Sequence, residues 1–478
     1  MSKNLFPVCT FDLRWYFYDF SIADFENWDF LHRFSAMWAE VGRECSAYSF
    51  PTQASYYGAS YTGTSSETQY WAGGFSATEQ SAVREIFRSI STFTNLSFVE
   101  VQETATTHAD LRFGHSNSPN ASASAWAYYP GNLSSSGDVW LWASYSDYSP
   151  GSSGNQTLMH EIGHVLGLKH PFISYNGFPA ATSDAERYYP FTVMDYFGVG
   201  NLPGTGTPNF SPEVYSRGDI AALQEMYGAN FDTHSGNTDY IVTPGGEFWY
   251  MERTPEGTLT SGTLKVASDP VFYTTLWDGG GGDGYNFNQL AQDQWVDLRP
   301  GKGSVILHDQ QLQQNSTTMI ANIYNAFQYH EDPRSLIETV LCGSGNDVIV
   351  GNSASNLIVG GGGYDVCVID SVFSANKIKF GVPASSGYFS SELNGSEFSY
   401  AGQGINTYHA LVAISGPEGS DEIKEVEEIL FRDKRLFVEC TETYFNVRVE
   451  DYSLSNEFKG DWWAHTVKTT DELMYYLV

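Results

Sequence analysis

A mixed α+β region followed by an all-β region is the fold class that the sequence predicts, from three observations. Helix-length periodic segments interleave with short alternating ones between about 45 and 232. After about 233, Gly, Asn and Asp become frequent and the alternation shortens. Around 342–368 a nine-residue unit repeats, as CGSGNDVIV, GNSASNLIV and GGGGYDVCV, the signature of stacked coils of parallel strand. A chain of 478 residues is too long for one compact core. We therefore expect an N-terminal segment at 1–44, a mixed domain at 45–232 and an all-β domain at 233–478.

Taken in order, Phe25 to Cys45 has Phe30, Leu31, Phe34, Met37 and Trp38 at roughly helical spacing; an ordinary packed helix and a removable prosegment both fit it. Ala77 to Phe93 reads as an amphipathic helix with Val83, Ile86, Phe87, Ile90 and Phe93 on one face. Leu96 to Val101, Ala109 to Phe113 and Asp138 to Trp142 read as strands. Thr157 to Leu168 is a second helix, stopped near Gly167 and followed by Pro171, and Arg217 to Tyr227 is a third.

Composition narrows the function classes. Hydrophobic residues at 41% and aromatics at 15% allow sizeable cores and exclude a disordered tail. With 56 acidic against 24 basic residues, net −32, the surface repels nucleic acid and anionic membranes, so neither is expected as a partner. No run approaches a membrane span. Five scattered cysteines show no paired metal spacing and suggest no disulfide framework. The amino terminus lacks an uninterrupted apolar stretch, which argues against a conventional signal peptide and, taken alone, for the cytosol.

The strongest chemical signal is HEIGHVLGLKH at 160–170. On a helix, His160 and His164 stand one turn apart on one face, so their imidazoles can meet at one cation. Glu161 sits beside that point without having to ligate. It can take a proton from water there and later deliver it to a leaving amine. Gly167 lets the helix end in a conformation costly for other residues, so that the chain turns and His170 supplies a third nitrogen. Three protein ligands leave the open position that a catalytic zinc site requires. Of eleven histidines, three fall in this window, which argues against a surface helix with solvated imidazoles.

HExxHxxGxxH is the mark of the metzincin metalloproteases, and the chain resembles the serralysins among them. Pro171 after the third histidine and Thr192-Val193-Met194-Asp195-Tyr196 downstream both fit that group. The resemblance implies a metzincin-like domain of twisted mixed sheet plus helices. It implies Met194 as a structural support, and Tyr196 as a catalytic phenol able to ligate zinc at rest and to donate a hydrogen bond to the tetrahedral intermediate; a packed aromatic is the plainer reading of Tyr196. Ser124 to Tyr128, just before Pro130-Gly131, is similar to the edge strand against which those enzymes lay extended substrates, giving Ala125, Trp126 and Ala127 as substrate-binding residues.

In the nonapeptide units the glycines permit tight turns, the sixth residue can supply a carboxylate and an apolar residue enters the core. Asp347 and Asp365, two units apart, fall on the same side of the stack, placed to clamp one calcium ion with backbone oxygens of Cys342, Ser344, Gly360 and Gly362. The middle unit has Asn356 where Asp is expected, and Cys342 replaces a glycine, so the opposite side is expected to hold calcium weakly or not at all. This region resembles the repeats-in-toxin β-roll that follows serralysin catalytic domains and leads into a β-sandwich. WDGGGGDGYNF at 277–287 is similar to the stretch that caps such rolls. By position the resemblance implies calcium ligands at Asp278, Gly280, Gly281, Asp283, Leu336 and Glu338, and through mainly backbone oxygens at His234, Gly236 and Thr238, although His234 and Asn237 depart from the family pattern. Gly419 to Asp433 resembles the segment after the roll. The last residues, DELMYYLV, resemble an uncleaved carboxy-terminal signal of type I secretion, which reverses the cytosolic impression.

The expectation is a secreted, monomeric zinc endopeptidase with one zinc and several structural calcium ions. Its partners would be protein or peptide substrates, a proteinaceous inhibitor and a type I secretion system. A calcium-binding secreted or surface protein with a vestigial protease site is the rival reading.

Overall fold

The computed structural model describes residues 45–452. Within that span it leaves aside 105, 122, 143–144, 175–179, 181–190, 197–211, 266–272, 311–312, 315–317, 320, 386, 394, 396, 402–404, 408–409 and 418. The expected helix at 25–45, apart from Cys45, and the expected secretion signal lie outside the described residues. Two compact units divide the rest between Asn230 and Phe231.

The first unit is built on a six-stranded sheet. Its strands are β1 (Cys45–Ser49), β2 (Trp71–Gly74), β3 (Ser97–Glu100), β4 (Leu111–Ser116), β5 (Ala125–Ala127) and β6 (Asp138–Leu141), in the order β3-β1-β4-β6-β5 with β2 alongside β4. β1, β3, β4 and β6 run parallel, whereas β2 and β5 run against their neighbours. Helix α1 (Ala77–Phe93) begins at a capping box: the Ser76 hydroxyl accepts from the Glu79 N–H and the Glu79 carboxylate accepts from the Ser76 N–H. Its face of Val83, Ile86, Phe87, Ile90 and Phe93 is buried, as the spacing predicts. Between β4 and β6 the buried Arg112 forks onto both Asp138 oxygens at 2.7 Å, a bidentate pair that locks the two strands in register. Helices α2 (Ser153–Val165) and α3 (Arg217–Tyr227) complete the unit. Cys45 is disulfide-bonded, while Cys342, Cys367 and Cys440 are free thiols.

The second unit is all β, with one sheet of ten strands and one of seven among the described residues. The nonapeptide repeat alternates between these two sheets. Val348–Val350 pairs in parallel with Val366–Val368 in one, and Leu357–Val359 pairs in parallel with Thr339–Leu341 in the other. Ile349, Ile358 and Cys367, at the eighth position of successive units, are fully buried in a shared core. Beyond the roll, Gly419–Lys424 and Glu428–Leu430 add one strand to each sheet. Antiparallel strands such as Lys377–Ala384, Lys434–Cys440 and Tyr444–Asp451 then extend them.

Candidate metal centres

The site helix α2 starts where the Ser152 hydroxyl accepts from the Asn155 N–H at 3.2 Å, a turn before the position that periodicity suggests. Its last turns carry His160, Glu161 and His164, all buried. It stops because Gly167 takes φ +105°, a conformation that side-chain-bearing residues resist. Gly167 N–H bonds the His164 carbonyl at 3.0 Å, and Leu168 N–H returns to the Gly163 carbonyl at 2.9 Å. The chain thus doubles back, and the Nε2 of His170 lies 3.1 Å from the Nε2 of both His160 and His164.

These three nitrogens are set for a cation. His160 Nδ1 faces the Val193 carbonyl at 3.0 Å and His164 Nδ1 the Leu168 carbonyl at 2.7 Å. A carbonyl only accepts, so each Nδ1 carries the proton and each Nε2 turns a lone pair inward. Zinc–nitrogen bonds of about 2.0–2.1 Å at a near-tetrahedral angle separate ligand nitrogens by roughly 3.3 Å, close to what is found. Burial holds His160 down to about 4 against the opposing bond to Val193, and holds His170 down to about 3 with help from His160 and Lys169. His164 is depressed further by burial and its two imidazole neighbours. All three are therefore neutral, as metal ligands must be. Among the described residues this is the one cluster of its kind.

Glu161 is buried beside them, and burial pushes its carboxyl up to about 8. Its Oε2 has no hydrogen-bond partner among the described residues, leaving it open to a water or substrate proton. The Tyr196 ring lies 5.6 Å from that of His160, near parallel, and 4.7 Å from that of His170. Tyr196 is 68% exposed while its ring also packs on Phe172 at 5.1 Å.

Met194 is fully buried beneath the site, its sulfur 2.5 Å from where a Cβ on Gly163 would stand. The turn carrying it is pinned from α3. Asp219 accepts from the Thr192 hydroxyl at 2.7 Å and the Val193 N–H at 2.8 Å, and the Thr192 hydroxyl accepts from Met194 N–H at 3.0 Å. Burial lifts the Asp219 carboxyl to about 7 in spite of these bonds. Sequence reasoning passed over Asp219 and Gly163. The only local sign of Asp219 was its place three residues after Ser216, in a capping box.

Among the described residues strand β5 ends the sheet, with β6 on one side only. Tyr128 N–H bonds the Asp138 carbonyl and Trp142 N–H the Ser124 carbonyl, so residues 124 and 128 face β6. By alternation Ala125 and Ala127 turn their backbone groups to the open edge. The Trp126 indole N–H is committed to Glu67 at 3.0 Å.

In the second unit the acidic candidates share one feature. Asp283 takes Thr238 N–H at 2.8 Å, Asp347 takes Gln294 N–H at 2.6 Å and Asp365 takes Asp347 N–H at 2.8 Å, each on Oδ1. Each then leaves a buried Oδ2 without a partner among the described residues. Burial, with neighbouring carboxylates, pushes Asp347 and Asp365 to about 8 and Asp283 to about 7, against the bonds they accept. Such orphaned oxygens fit a hard cation. Asp347 and Asp365 do lie on one side of the stack, and Gly362 N–H bonds the Gly343 carbonyl at 2.9 Å, bringing the Cys342–Ser344 and Gly360–Gly362 turns together. Around Asp283, Glu338 accepts its N–H at 2.7 Å, and Asp278 takes Gly280 N–H at 2.7 Å and the Tyr240 hydroxyl at 2.6 Å. Any Cβ on Gly281 would strike the Gly236 carbonyl at 1.9 Å. Leu336 is buried just before Glu338. The His234 imidazole faces Glu252 at 3.4 Å, leaving its carbonyl as the group available for a cation. On the other side of the stack, Asn356 Oδ1 accepts from Asn352 N–H and its Nδ2 donates to Asn352 Oδ1, both at 2.9 Å, so an interlocked amide pair stands where a carboxylate is expected.

Residues 74–176 match the family model of the matrixin metallopeptidases. The chain is 30% identical to the metallopeptidase AprA of Pseudomonas marginalis over 65% of its own length and 61% of that protein. It is 29% identical to serralysin G of Dickeya chrysanthemi over 59% of this chain and 55% of that one. A serralysin of Proteus mirabilis matches at 29% identity, over 59% and 56% of the two chains. The alignments thus span less than two thirds of the relatives' length. The solved structure of myroilysin matches 39% of this chain and 93% of its own at 15% identity with a TM-score of 0.23, too slight to bear on the fold.

Proposed function

We propose that the chain is a serralysin-type metalloprotease, as its similarity to AprA and the serralysins supports, and a secreted endopeptidase with one zinc at His160, His164 and His170 and structural calcium in its second unit. The observation that carries this reading is that the His170 Nε2 lies 3.1 Å from the Nε2 of both His160 and His164, beside Glu161, whose Oε2 has no partner among the described residues.

Zinc bound there supplies Lewis-acid polarisation of the scissile carbonyl and acidification of water. The rest falls to the chain's own side chains. The open edge of β5 holds an extended peptide through backbone groups of Ala125 and Ala127. Glu161 accepts the proton of the attacking water and hands it to the departing amine, so one group serves as base and then as acid. Tyr196, exposed over the histidines, donates a hydrogen bond to the developing oxyanion. The orphaned oxygens of Asp283, Asp347 and Asp365 support calcium at the roll. No helix among the described residues is long and apolar enough to cross a membrane, and the acidic composition and sparse cysteines suit export and folding outside in calcium.

The test is casein digestion by wild type and Glu161→Gln, with zinc content measured on both. Activity should fall by about 100-fold or more with zinc retained; equal activity would remove Glu161 from the mechanism, and an inactive, zinc-free wild type would favour a vestigial site.

A further inference from the structure

We infer that the cavity beyond the Ser124 end of β5 is a subsite for a basic side chain of an extended protein substrate, several residues from the bond that is cut. This rests on the peptidase reading and adds to it a specificity that neither the zinc nor Glu161 provides.

The cavity, of about 570 Å³, opens between the first turn of α1, the end of β4 and the segment after β6. Its position relative to the metal follows from two contacts at opposite ends of β5. Past the Ala127 end, the Tyr129 ring meets that of His164 edge-on at 5.3 Å. Past the other end, the Tyr145 hydroxyl lies 3.4 Å from the Ser124 hydroxyl and accepts from Thr157 at 3.2 Å. Tyr145 lines the cavity. β5 therefore runs beside α2 from the level of His164 back to that of Thr157, about 10 Å along the helix axis. An extended peptide covers that distance in about three residues. A substrate lying along the open edge of β5 with one residue at the histidines brings another, about three positions away, to the mouth of the cavity.

The lining selects what enters. Glu79 is among the lining residues and buried, its oxygens bonded by Ser76 N–H and the Tyr148 hydroxyl and beside His115, so it acts on the cavity through its charge. No lysine or arginine is among the lining residues. Glu79 is ionised at neutral pH: burial alone would raise its carboxyl, but bonds from His115, Tyr148 and Ser76 hold it at about 2. At the rim Trp142 is 52% exposed, a large aromatic face with little packed over it, and Thr78 and Ser146 are exposed beside it. The charge of Glu79, the exposed hydroxyls of Thr78 and Ser146 and the exposed Trp142 indole complement a guanidinium or ammonium on a long stem. They oppose an acidic side chain by like charge.

The experiment uses the full-length protein loaded with zinc and calcium and a set of fluorogenic peptides sharing one cleaved core. Arg, Leu or Glu is placed in turn at the second, third and fourth residue from the cut, on each side. Values of kcat/KM should favour Arg over Glu by about 10-fold or more at one or two adjacent positions on one side only. Trp142→Ala should bring the Arg-to-Leu ratio towards one, and Ser146→Lys, an exposed change, should reverse the order of Arg and Glu at that position. Equal cleavage of all the peptides, or an order unmoved by Ser146→Lys, overturns the subsite and leaves the peptidase reading intact. Failure of the wild type to cut any peptide overturns both.

Discussion

The Asp219 carboxylate and the Thr192 hydroxyl meet at 2.7 Å, fully buried, joining α3 to the turn beneath the histidines. Through the same turn the Val193 carbonyl holds His160 Nδ1, so Thr192 and Val193 link one imidazole to an acid 59 residues away in sequence. These contacts help keep the His160 lone pair aimed at the point shared with His164 and His170, while the Leu168 carbonyl holds His164.

Thr192→Val keeps the shape and removes the hydroxyl that bridges Asp219 and Met194 N–H. The buried Asp219 oxygen then loses its donor, a cost of about 1–3 kcal/mol. Thermal unfolding should register that loss, and zinc affinity by competition with a chelator should drop about 10-fold or more. Wild-type affinity in the variant would mean that the turn is held by other contacts.

Gly163 leaves room for the Met194 sulfur, which would stand 2.5 Å from an added Cβ. Gly163→Ala should destabilise by about 1–3 kcal/mol through overpacking, although alanine is the better helix former. Combined with Met194→Ala the damage should be less than the sum of the two single changes, because the truncated side chain makes the space. Strict additivity in urea unfolding would show that the two residues do not press on each other.

Asn356→Asp puts an anion against the Asn352 Oδ1 and Glu338 carbonyl oxygens that the Asn356 amide now serves as donor, at 2.9 and 3.4 Å. Without calcium the variant should melt below wild type. With millimolar calcium it should recover part or all of the difference, as binding to the folded state predicts. A gap in melting temperature between variant and wild type that is the same with chelator and with calcium would show that this side of the stack makes no cation site even with the carboxylate restored.

How much of this was readable in the sequence depends on how far apart the cooperating residues lie. Helix α1 emerges from its apolar period because Val83, Ile86, Phe87, Ile90 and Phe93 all serve one buried face. The stacking of the roll emerges from its nine-residue period, since Val348–Val350 and Val366–Val368 pair at a fixed offset. The histidines are legible for the same reason: the helix and the bend at Gly167 turn local spacing into geometry. The start of α2 was not, because Ser153-Gly154-Asn155 are poor helix formers and the Ser152 cap with tertiary packing overrides propensity. Nor was the Asp219–Thr192 contact or the space at Gly163, which are set by how α2, α3 and the methionine turn pack and by no local offset.

Glu79 gives a pH-dependent prediction. Its carboxylate accepts from the Tyr148 hydroxyl and the Ser76 N–H, both at 2.7 Å, and lies 3.1 Å from His115 Nε2. Burial works to raise its pKa, but these bonds outweigh it and the folded value falls from 4.5 to about 2. A carboxyl depressed on folding contributes stability that is fully present above its unfolded pKa. That contribution is lost as pH drops from about 4.5 through about 2, because the unfolded chain binds the proton first. The size is about 2–3 kcal/mol at neutral pH. Glu79→Gln keeps the volume and loses both charge and titration. In urea unfolding at pH 7, 5 and 3, the variant should lie about 2–3 kcal/mol below wild type at pH 7 and 5. The two should draw together at pH 3, as the wild type forfeits what the variant never had. Curves that stay parallel down to pH 3 would show that the capping box and its Tyr148 and His115 contacts stabilise by shape alone and not through an ionised carboxylate.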